Sequence, residues 1–206
     1  MRIKQLTVTH NDINMNIDKF EINNNKFQIG IYLIGSLRNT EIPKLARRLR
    51  EKLEVEVFDD WFSPGPKADD FWRDYEHVRG SSYKQALSSF AATHVYEFDK
   101  YHIDRLPIVV MCMPAGKSGH LELGYKLGKG GLGYIFFDAE PERWDVMYQF
   151  ATDIFFNEDE LVDELKKAIA KLKKEHTNWV TNHRKPERKE KPTVTAKQFV
   201  EKLTKS

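Results

Sequence analysis

The chain has 206 residues, of which 40% are hydrophobic and 31% are charged, a composition typical of one globular domain with extensions. The formal net charge is only +2, which argues against a nucleic-acid-binding surface along the whole chain. A single cysteine excludes an intrachain disulfide framework, and the lack of a signal-peptide pattern and of a membrane-length apolar run predicts a cytoplasmic protein without a membrane segment.

The first 27 residues are polar and rich in asparagine, and we predict an N-terminal extension there. Two short apolar patches in it, residues 6–9 and 20–22, predict a hairpin that covers a sheet edge or joins a partner subunit. A core domain is predicted over residues 28–176. It is followed over residues 177–206 by a basic linker with prolines and by a short terminal helix.

The core begins with an apolar strand at residues 27–34, followed by a glycine-containing loop at residues 35–39 and by a helix with Thr40 as its N-cap. Apolar residues at helical spacing predict the buried side of that helix: Ile42, Leu45, Ala46, Leu49 and Leu53. A strand, a glycine turn and a helix N-terminus form an anion site from backbone N–H groups. Arg38 could add bidentate hydrogen bonds to a phosphate there. Alternatively, Gly35 only permits the turn and Arg38 is solvated.

A second strand, residues 55–58, runs into a loop at residues 59–66 that contains two acids and two aromatic residues. The aromatic rings could stack on a nucleobase, and Asp60 could accept a hydrogen bond from an exocyclic amine. Alternatively, this is a surface loop anchored by Trp61. A short helix is predicted over residues 68–78, as either a lid or a fixed cover.

A long helix is predicted from Ser81 or Ser82 to Asp104. Its aromatic and apolar residues mark one broad face, and Asp99 lies beside that face. An acid next to an apolar stripe needs a partner when it is buried. The two histidines of this helix are interpreted as core or rim residues, and neither a metal ion nor another cofactor is predicted.

A third strand, residues 106–113, is continuously apolar and contains Cys112, which we interpret as a small core residue. The loop after it is rich in proline, glycine and serine, and a helix with Ser118 as its N-cap is predicted to follow. Glu122 would then occupy about the fourth helical position. On spacing alone it is equally a first-turn acid favoured by the helix dipole or a functional carboxylate. Because ligands bind at the carboxyl ends of parallel strands, chemistry is expected at this loop.

Two further strands are predicted at residues 134–137 and 154–156. Asn157 and Glu160 have the spacing of a capping box at the start of the helix that follows. The alternation of strands and helices indicates a parallel sheet with helices on both faces.

Three segments together resemble the nucleoside 2-deoxyribosyltransferase-like superfamily. The sequence Ser-Gly-His-Leu-Glu-Leu-Gly-Tyr at residues 118–125 is similar to the segment that presents the catalytic glutamate of that superfamily. Residues 31–39 resemble its first strand and its sugar- or phosphate-binding loop. Phe98 and Asp99, just ahead of the third strand, match a helix-borne aspartate. The resemblance covers about half of the chain.

The resemblance implies a flavodoxin-like or Rossmann-like three-layer α/β sandwich with a five-stranded, mainly parallel sheet. It implies an enzyme that cleaves the N-glycosidic bond of a nucleoside or its 5′-monophosphate, with Glu122 as the nucleophile and Asp99 as its orienting residue or the acid for the leaving base. It also implies a homo-oligomer. The residues expected to bind substrate are Gly35, Ser36, Arg38, Asn39, Asp60, Trp61, Lys117, Ser118, Gly119 and His120.

Several alternatives remain open. Lys117 departs from the superfamily pattern, since transferases often carry an aspartate there, and a cation at this position favours a phosphate and hence a nucleotide hydrolase. The superfamily name favours base exchange, so hydrolase and transferase both stand. A TIR-type NAD-cleaving enzyme would also use a helix-borne glutamate, and a non-catalytic binding module would use Glu122 only to read a ribose hydroxyl. The basic C-terminal stretch has interspersed acids, so nucleic-acid binding is not expected.

Overall fold

The computed structural model describes residues 29–183. The hairpin predicted within residues 1–27 and the short helix predicted near the end of the chain lie outside the described residues. A boundary between two compact units follows Lys173, and the sheet and the site described below belong to the first unit. None of the helices within the described residues is both long and apolar enough to cross a bilayer.

A five-stranded sheet forms the centre of the fold. Its strands are β1 (Gly30–Ile34), β2 (Glu56–Phe58), β3 (Ile108–Cys112), β4 (Leu132–Phe136) and β5 (Asp153–Phe155). They are arranged in the order β2-β1-β3-β4-β5, and every neighbouring pair is parallel. The predicted flavodoxin-like α/β class is therefore confirmed. Every residue of β1 and β3 is buried, as expected of central parallel strands covered on both faces.

Six α-helices accompany the sheet within residues 29–183. They are α1 (Glu41–Leu53), α2 (Ala68–Val78), α3 (Tyr83–Ala86), α4 (Phe90–Arg105), α5 (Lys117–Gly128) and α6 (Glu158–His183). Strands and helices alternate as predicted. Helix α6 extends past residue 176, where the core domain was predicted to end.

One face of the sheet is covered by α1 and α6. The five apolar residues predicted for the inner side of α1 are all buried: Ile42, Leu45, Ala46, Leu49 and Leu53. Burying an aliphatic side chain of this size contributes about 1.5–3 kcal/mol, so this stripe is a main source of stability. Helix α6 starts as predicted at Asn157, whose side-chain oxygen accepts hydrogen bonds from the backbone N–H groups of Asp159 at 2.8 Å and Glu160 at 3.2 Å.

The other face is covered by α4 and α5, and its core contains side chains from β1, β2, β3 and β4 together with Ile103 and Leu123 of the two helices. Cys112 lies at the end of β3, where burial raises the pKa of its thiol to about 12. Its interpretation as a core residue is confirmed.

The prediction of one long helix from Ser81 or Ser82 is wrong. Ser82 forms a capping box with Gln85 that starts the four-residue α3, and the chain then starts a second helix at Ser89. The Ser89 hydroxyl accepts a hydrogen bond from the backbone N–H of Ala92 at 3.4 Å. A second capping serine thus interrupts the apolar periodicity on which the prediction depended.

Candidate active site

Glu122 lies deeper in its helix than the sequence predicts. Helix α5 begins at Lys117, and its N-cap is Gly116 instead of Ser118. Counting Lys117 as the first helical residue, Glu122 is the sixth, so the interpretation as a first-turn acid is wrong. Gly119 lies in the first turn of α5, where a Cβ would lie 2.9 Å from Ile34 Cγ2 of β1. The absence of a side chain lets the first turn of α5 pack directly on the sheet.

A cavity of about 230 Å³ lies between α4 and α5. The structure brings Asp99 of α4 and Glu122 of α5 together, since both line this cavity. The remaining lining residues are Tyr96, Lys100, Ile103, Leu121 and Tyr125. The two carboxyl groups therefore share a small and largely apolar space between the helices.

This environment makes both acids weak. Burial, with the nearby charge of Asp99 as a second cause, raises the pKa of Glu122 to about 7. Burial likewise raises the pKa of Asp99 to about 6. Within residues 29–183, the buried Oδ1 of Asp99 has no hydrogen-bond partner. An unsatisfied buried acceptor costs about 1–3 kcal/mol, and two shifted carboxyl groups in one cavity are typical of a functional site.

Tyr32 is a candidate site residue that the sequence reasoning missed. It lies in the middle of β1, is fully buried, and stacks on Phe58 with ring centroids 5.2 Å apart. Burial raises the pKa of its hydroxyl, and the charges of Glu122 and Asp99 raise it further, so the hydroxyl stays neutral beside both acids. The sequence feature that could have indicated Tyr32 is a tyrosine inside an aliphatic strand, because a buried hydroxyl needs a polar partner.

The residues predicted for the loops at the carboxyl edge lie outside the lining of this cavity. Asn39 connects two of these loops, since its side-chain amide donates to the backbone oxygen of Met113 at 3.3 Å. Ser36 accepts a hydrogen bond from the backbone N–H of Arg38 at 3.2 Å. Packing explains the glycine at position 35, because the Cβ of any other residue there would lie 2.5 Å from Ile42 Cδ1.

Arg38 forms an ion pair within the protein. Its side chain is 64% exposed, and its guanidinium lies 3.5 Å from the carboxylate of Asp70 on α2. An anion that uses Arg38 would therefore compete with Asp70.

Trp61 anchors its loop to the sheet. Its indole N–H donates to the backbone oxygen of Leu33 at 2.7 Å, so the polar atom of the ring is already used. The neighbouring Asp60 is exposed, in a 3-10 turn. This geometry matches the alternative in which the loop is a surface segment anchored by Trp61.

The first turn of α5 presents Lys117 and Ser118 to solvent. The first backbone N–H groups of a helix have no partner within the helix, so this turn is suited to an anion. Both ring nitrogens of His120 have hydrogen-bond partners. Its Nδ1 lies 2.8 Å from the backbone oxygen of Gly116 and its Nε2 lies 3.0 Å from the hydroxyl of Tyr148. No cluster of three or more His, Cys, Asp or Glu suited to a metal ion occurs within residues 29–183.

Comparison with known proteins finds similarity to solved structures. No protein-family profile and no curated protein sequence matches the chain. Among solved structures, a 2-deoxyribosyltransferase from the psychrotolerant bacterium Bacillus psychrosaccharolyticus is similar, with 18% sequence identity and a TM-score of 0.45. The matched region covers 65% of this chain and 90% of that chain.

Proposed function

We propose that this protein cleaves the N-glycosidic bond of a nucleoside or deoxynucleoside, or of its 5′-monophosphate, and passes the sugar to water or to another base. The observation that carries the proposal is the shared cavity of Glu122 and Asp99, in which both acids have a pKa raised toward neutrality. The resemblance of residues 118–125 to a segment that carries a catalytic glutamate supports the same assignment.

In the proposed reaction, a carboxylate oxygen of Glu122 attacks C1′ of the sugar. The C1′–N bond breaks, its electron pair goes to the leaving base, and Asp99 supplies the proton that neutralises the base. The product of this first half of the reaction is a glycosyl ester on Glu122. Water or the nitrogen of a second base then attacks C1′ and releases the Glu122 carboxylate, and the proton of the attacking group returns to Asp99. Paired carboxyl groups support the oxocarbenium-like transition states of glycosidases in a comparable way.

The raised pKa values suit the assignment of one carboxyl group as the nucleophile and the other as the acid. Two buried carboxyl groups close together take up one proton near neutral pH, which leaves one acid and one carboxylate. In the free protein the proton favours Glu122, since its pKa is the higher of the two. Positive charge that develops at C1′ beside Glu122 favours its ionised form and leaves the proton to Asp99. The neutral hydroxyl of Tyr32 lies near enough for the charges of both carboxylates to affect it.

The size of the cavity favours a small substrate. About 230 Å³ is below the roughly 300–1,000 Å³ typical of sites for drug-sized ligands, so one nucleoside fits better than a dinucleotide. Tyr96 and Tyr125 offer aromatic surfaces for a planar base. These features favour a nucleoside or mononucleotide over NAD.

For a 5′-phosphate we propose the first turn of α5. Lys117 supplies a cation there, and Ser118 and the backbone N–H groups supply hydrogen-bond donors. Arg38 would join them once the phosphate displaces Asp70. A substrate of this class also fits the predicted cytoplasmic location.

We further propose that the protein acts as a homo-oligomer through the outer surface of α4 and α5. Large apolar side chains are exposed there, including Tyr96 at 60% and Leu121 at 76%, both of which also line the cavity. Other exposed apolar side chains of α4 are Phe90, Val95, Phe98 and Tyr101. Exposed apolar area on a protein often marks an interaction site. An identical subunit packed here would lie beside the mouth of the cavity.

The proposal is tested with a panel of nucleosides, 5′-monophosphates and NAD, each with and without an acceptor base, and free base is followed by chromatography. We expect release of a nucleobase by the wild-type protein and its loss in Glu122→Ala. Release from monophosphates alone would identify a nucleotide hydrolase, and exchange that requires an acceptor base would identify a transferase. Nicotinamide release would favour the NAD-cleaving alternative.

Acid quenching followed by mass spectrometry of peptides identifies the nucleophile. The sugar adduct is expected on the peptide that contains Glu122, and an adduct on the Asp99 peptide would reverse the assigned roles. Glu97→Gln is the matched control, because Glu97 is an exposed glutamate on α4. Full turnover by Glu122→Ala would refute the proposed function.

A further inference from the structure

The carboxylate of Asp104 lies beside the cavity between α4 and α5 and accepts hydrogen bonds from residues of both helices. Its Oδ1 accepts hydrogen bonds from the Tyr125 hydroxyl at 2.8 Å and from Lys129 Nζ at 2.7 Å. Its Oδ2 accepts one from Lys100 Nζ at 2.7 Å. Two of these three donors, Tyr125 and Lys100, line the cavity that contains Glu122 and Asp99. One side chain therefore connects both walls of the cavity.

Asp104 is charged at any working pH. Partial burial alone would raise its pKa, but hydrogen bonds from Lys100, Lys129 and Tyr125 outweigh burial and lower the pKa to about 2. The bond to Tyr125 is thus a charge-assisted O–H···O⁻ bond, which is stronger than a bond between neutral groups. The same helices are joined beneath it by Lys126, whose Nζ donates to the backbone oxygen of Ile103 at 2.9 Å.

We propose that Asp104 is a positioning residue for the proposed reaction, and that its hydrogen bond to the Tyr125 hydroxyl holds the Tyr125 ring as a fixed wall of the cavity. The inference rests on the proposed function and adds to it the residue that shapes the binding space for the planar base. Asp104 acts through Tyr125 and does not line the cavity itself.

The position of Tyr125 explains why it needs to be held. It lies one turn after Glu122 on the same side of α5, and its side chain is 38% exposed. A half-exposed tyrosine without a partner samples several rotamers, some of which point into solvent. The Asp104 bond selects the rotamer that faces α4. A ligand in the cavity then meets a preformed aromatic surface and does not have to order the ring on binding.

Four variants separate this role from a merely stabilising ion pair. Asp104→Ala removes the acceptor for Tyr125, and Tyr125→Phe removes the donor but keeps the ring. Asp104→Asn keeps a neutral acceptor for the hydroxyl while it loses the charge that pairs with the lysines. Lys129 is left intact, because its Nζ also donates to the Tyr125 hydroxyl at 3.2 Å. The control is Lys44→Ala, which removes an exposed ion pair with Glu41 on α1 and leaves the Tyr125 bond in place.

With the best nucleoside or 5′-monophosphate of the panel as probe, we expect Asp104→Ala and Tyr125→Phe each to raise KM about tenfold, in line with the value of a hydrogen bond to a charged group. We expect kcat to change less than KM, since the wall contacts the ligand in both the ground state and the transition state. Asp104→Asn and Lys44→Ala should stay within about threefold of the wild-type KM. The double variant Asp104→Ala/Tyr125→Phe should be no worse than either single variant, because both remove the same contact.

A readout independent of turnover comes from tyrosine labelled with ¹³C at Cζ, with the Tyr125 signal assigned through Tyr125→Phe. The signal should move in Asp104→Ala and stay in place in Lys44→Ala. An unchanged signal in Asp104→Ala, an unchanged KM in that variant, or an Asp104→Asn as impaired as Asp104→Ala would each overturn the positioning role while the proposed function stands. Absence of turnover by the wild-type protein would instead refute the proposed function, together with any role for Asp104 in it.

Discussion

Replacing Glu122 by glutamine should stabilise the folded protein above neutral pH. Burial raises the pKa of Glu122 from its ordinary value of 4.5 to about 7. The ionised side chain therefore lowers the free energy of unfolding. Each pKa unit between the folded and unfolded chain corresponds to about 1.4 kcal/mol, which makes the full cost about 3 kcal/mol. Glutamine has nearly the same shape without the charge, so Glu122→Gln should recover most of that amount.

The sign of the pH dependence follows from the direction of the shift. Below pH 4.5 the carboxyl group is protonated in both states and its charge has no effect on stability. As the pH rises toward about 7, the unfolded chain ionises first, so the wild-type protein loses stability relative to the variant. Above about pH 7 both states are ionised and the difference is constant. The gain of Glu122→Gln should therefore be absent in acid and complete at pH 8.

Urea unfolding of both proteins between pH 4 and pH 8 measures this difference directly. Glu97→Gln on the exposed side of α4 serves as the control and should show little pH-dependent difference from the wild type. Any change in packing caused by the amide is independent of pH, so the slope isolates the charge. A stability difference that does not grow between pH 4 and pH 8 would show that Glu122 is not a strained, buried acid.

Four further results are expected. The pH profile of kcat/KM for base release should be bell-shaped, with limbs near pH 6 and pH 7, because the pair has no carboxylate when doubly protonated and no acid when doubly ionised; a flat profile over this range would contradict the assignment. Gly119→Ala should lose about 1–3 kcal/mol in urea unfolding, since its Cβ would lie 2.9 Å from Ile34 Cγ2. Gly124→Ala in the same helix meets nothing within 4 Å and should gain about 0.5–1 kcal/mol. Arg38→Ala should raise KM about tenfold for 5′-monophosphates, as expected for the loss of a charged contact, and leave nucleosides unaffected; equal effects on both would exclude a phosphate role.

Local patterns were enough to predict the architecture. The aliphatic runs of β1 and β3 read as buried strands because the central strands of a parallel sheet lie between two helical layers. The inner stripe of α1 could be read from helical spacing alone, and Asn157 from its capping chemistry, since both depend on residues within one or two turns. The bounds predicted for α2, Ala68–Val78, also match the structure.

The helix boundaries near the site could not be predicted in the same way. Ser118 is a good capping residue, yet α5 starts one residue before it, and Gly119 in its first turn packs against Ile34. The predicted long helix breaks because Ser89 caps a new helix where the apolar pattern continues. In both cases several local choices are acceptable, and a contact or a competing cap selects one of them.

Local sequence patterns were sufficient for the alternating α/β architecture and for the strand that precedes Glu122, and the family resemblance suggested that Glu122 and Asp99 belong to one site. The packing of α4 against α5 places the two carboxyl groups at one cavity and adds Tyr32 and Tyr125 to its surroundings. The physical reason is that burial and charge proximity are properties of packed helices. Asp99 and Glu122 are far apart along the chain, and their shifted pKa values exist only once both helices lie on the same face of the sheet.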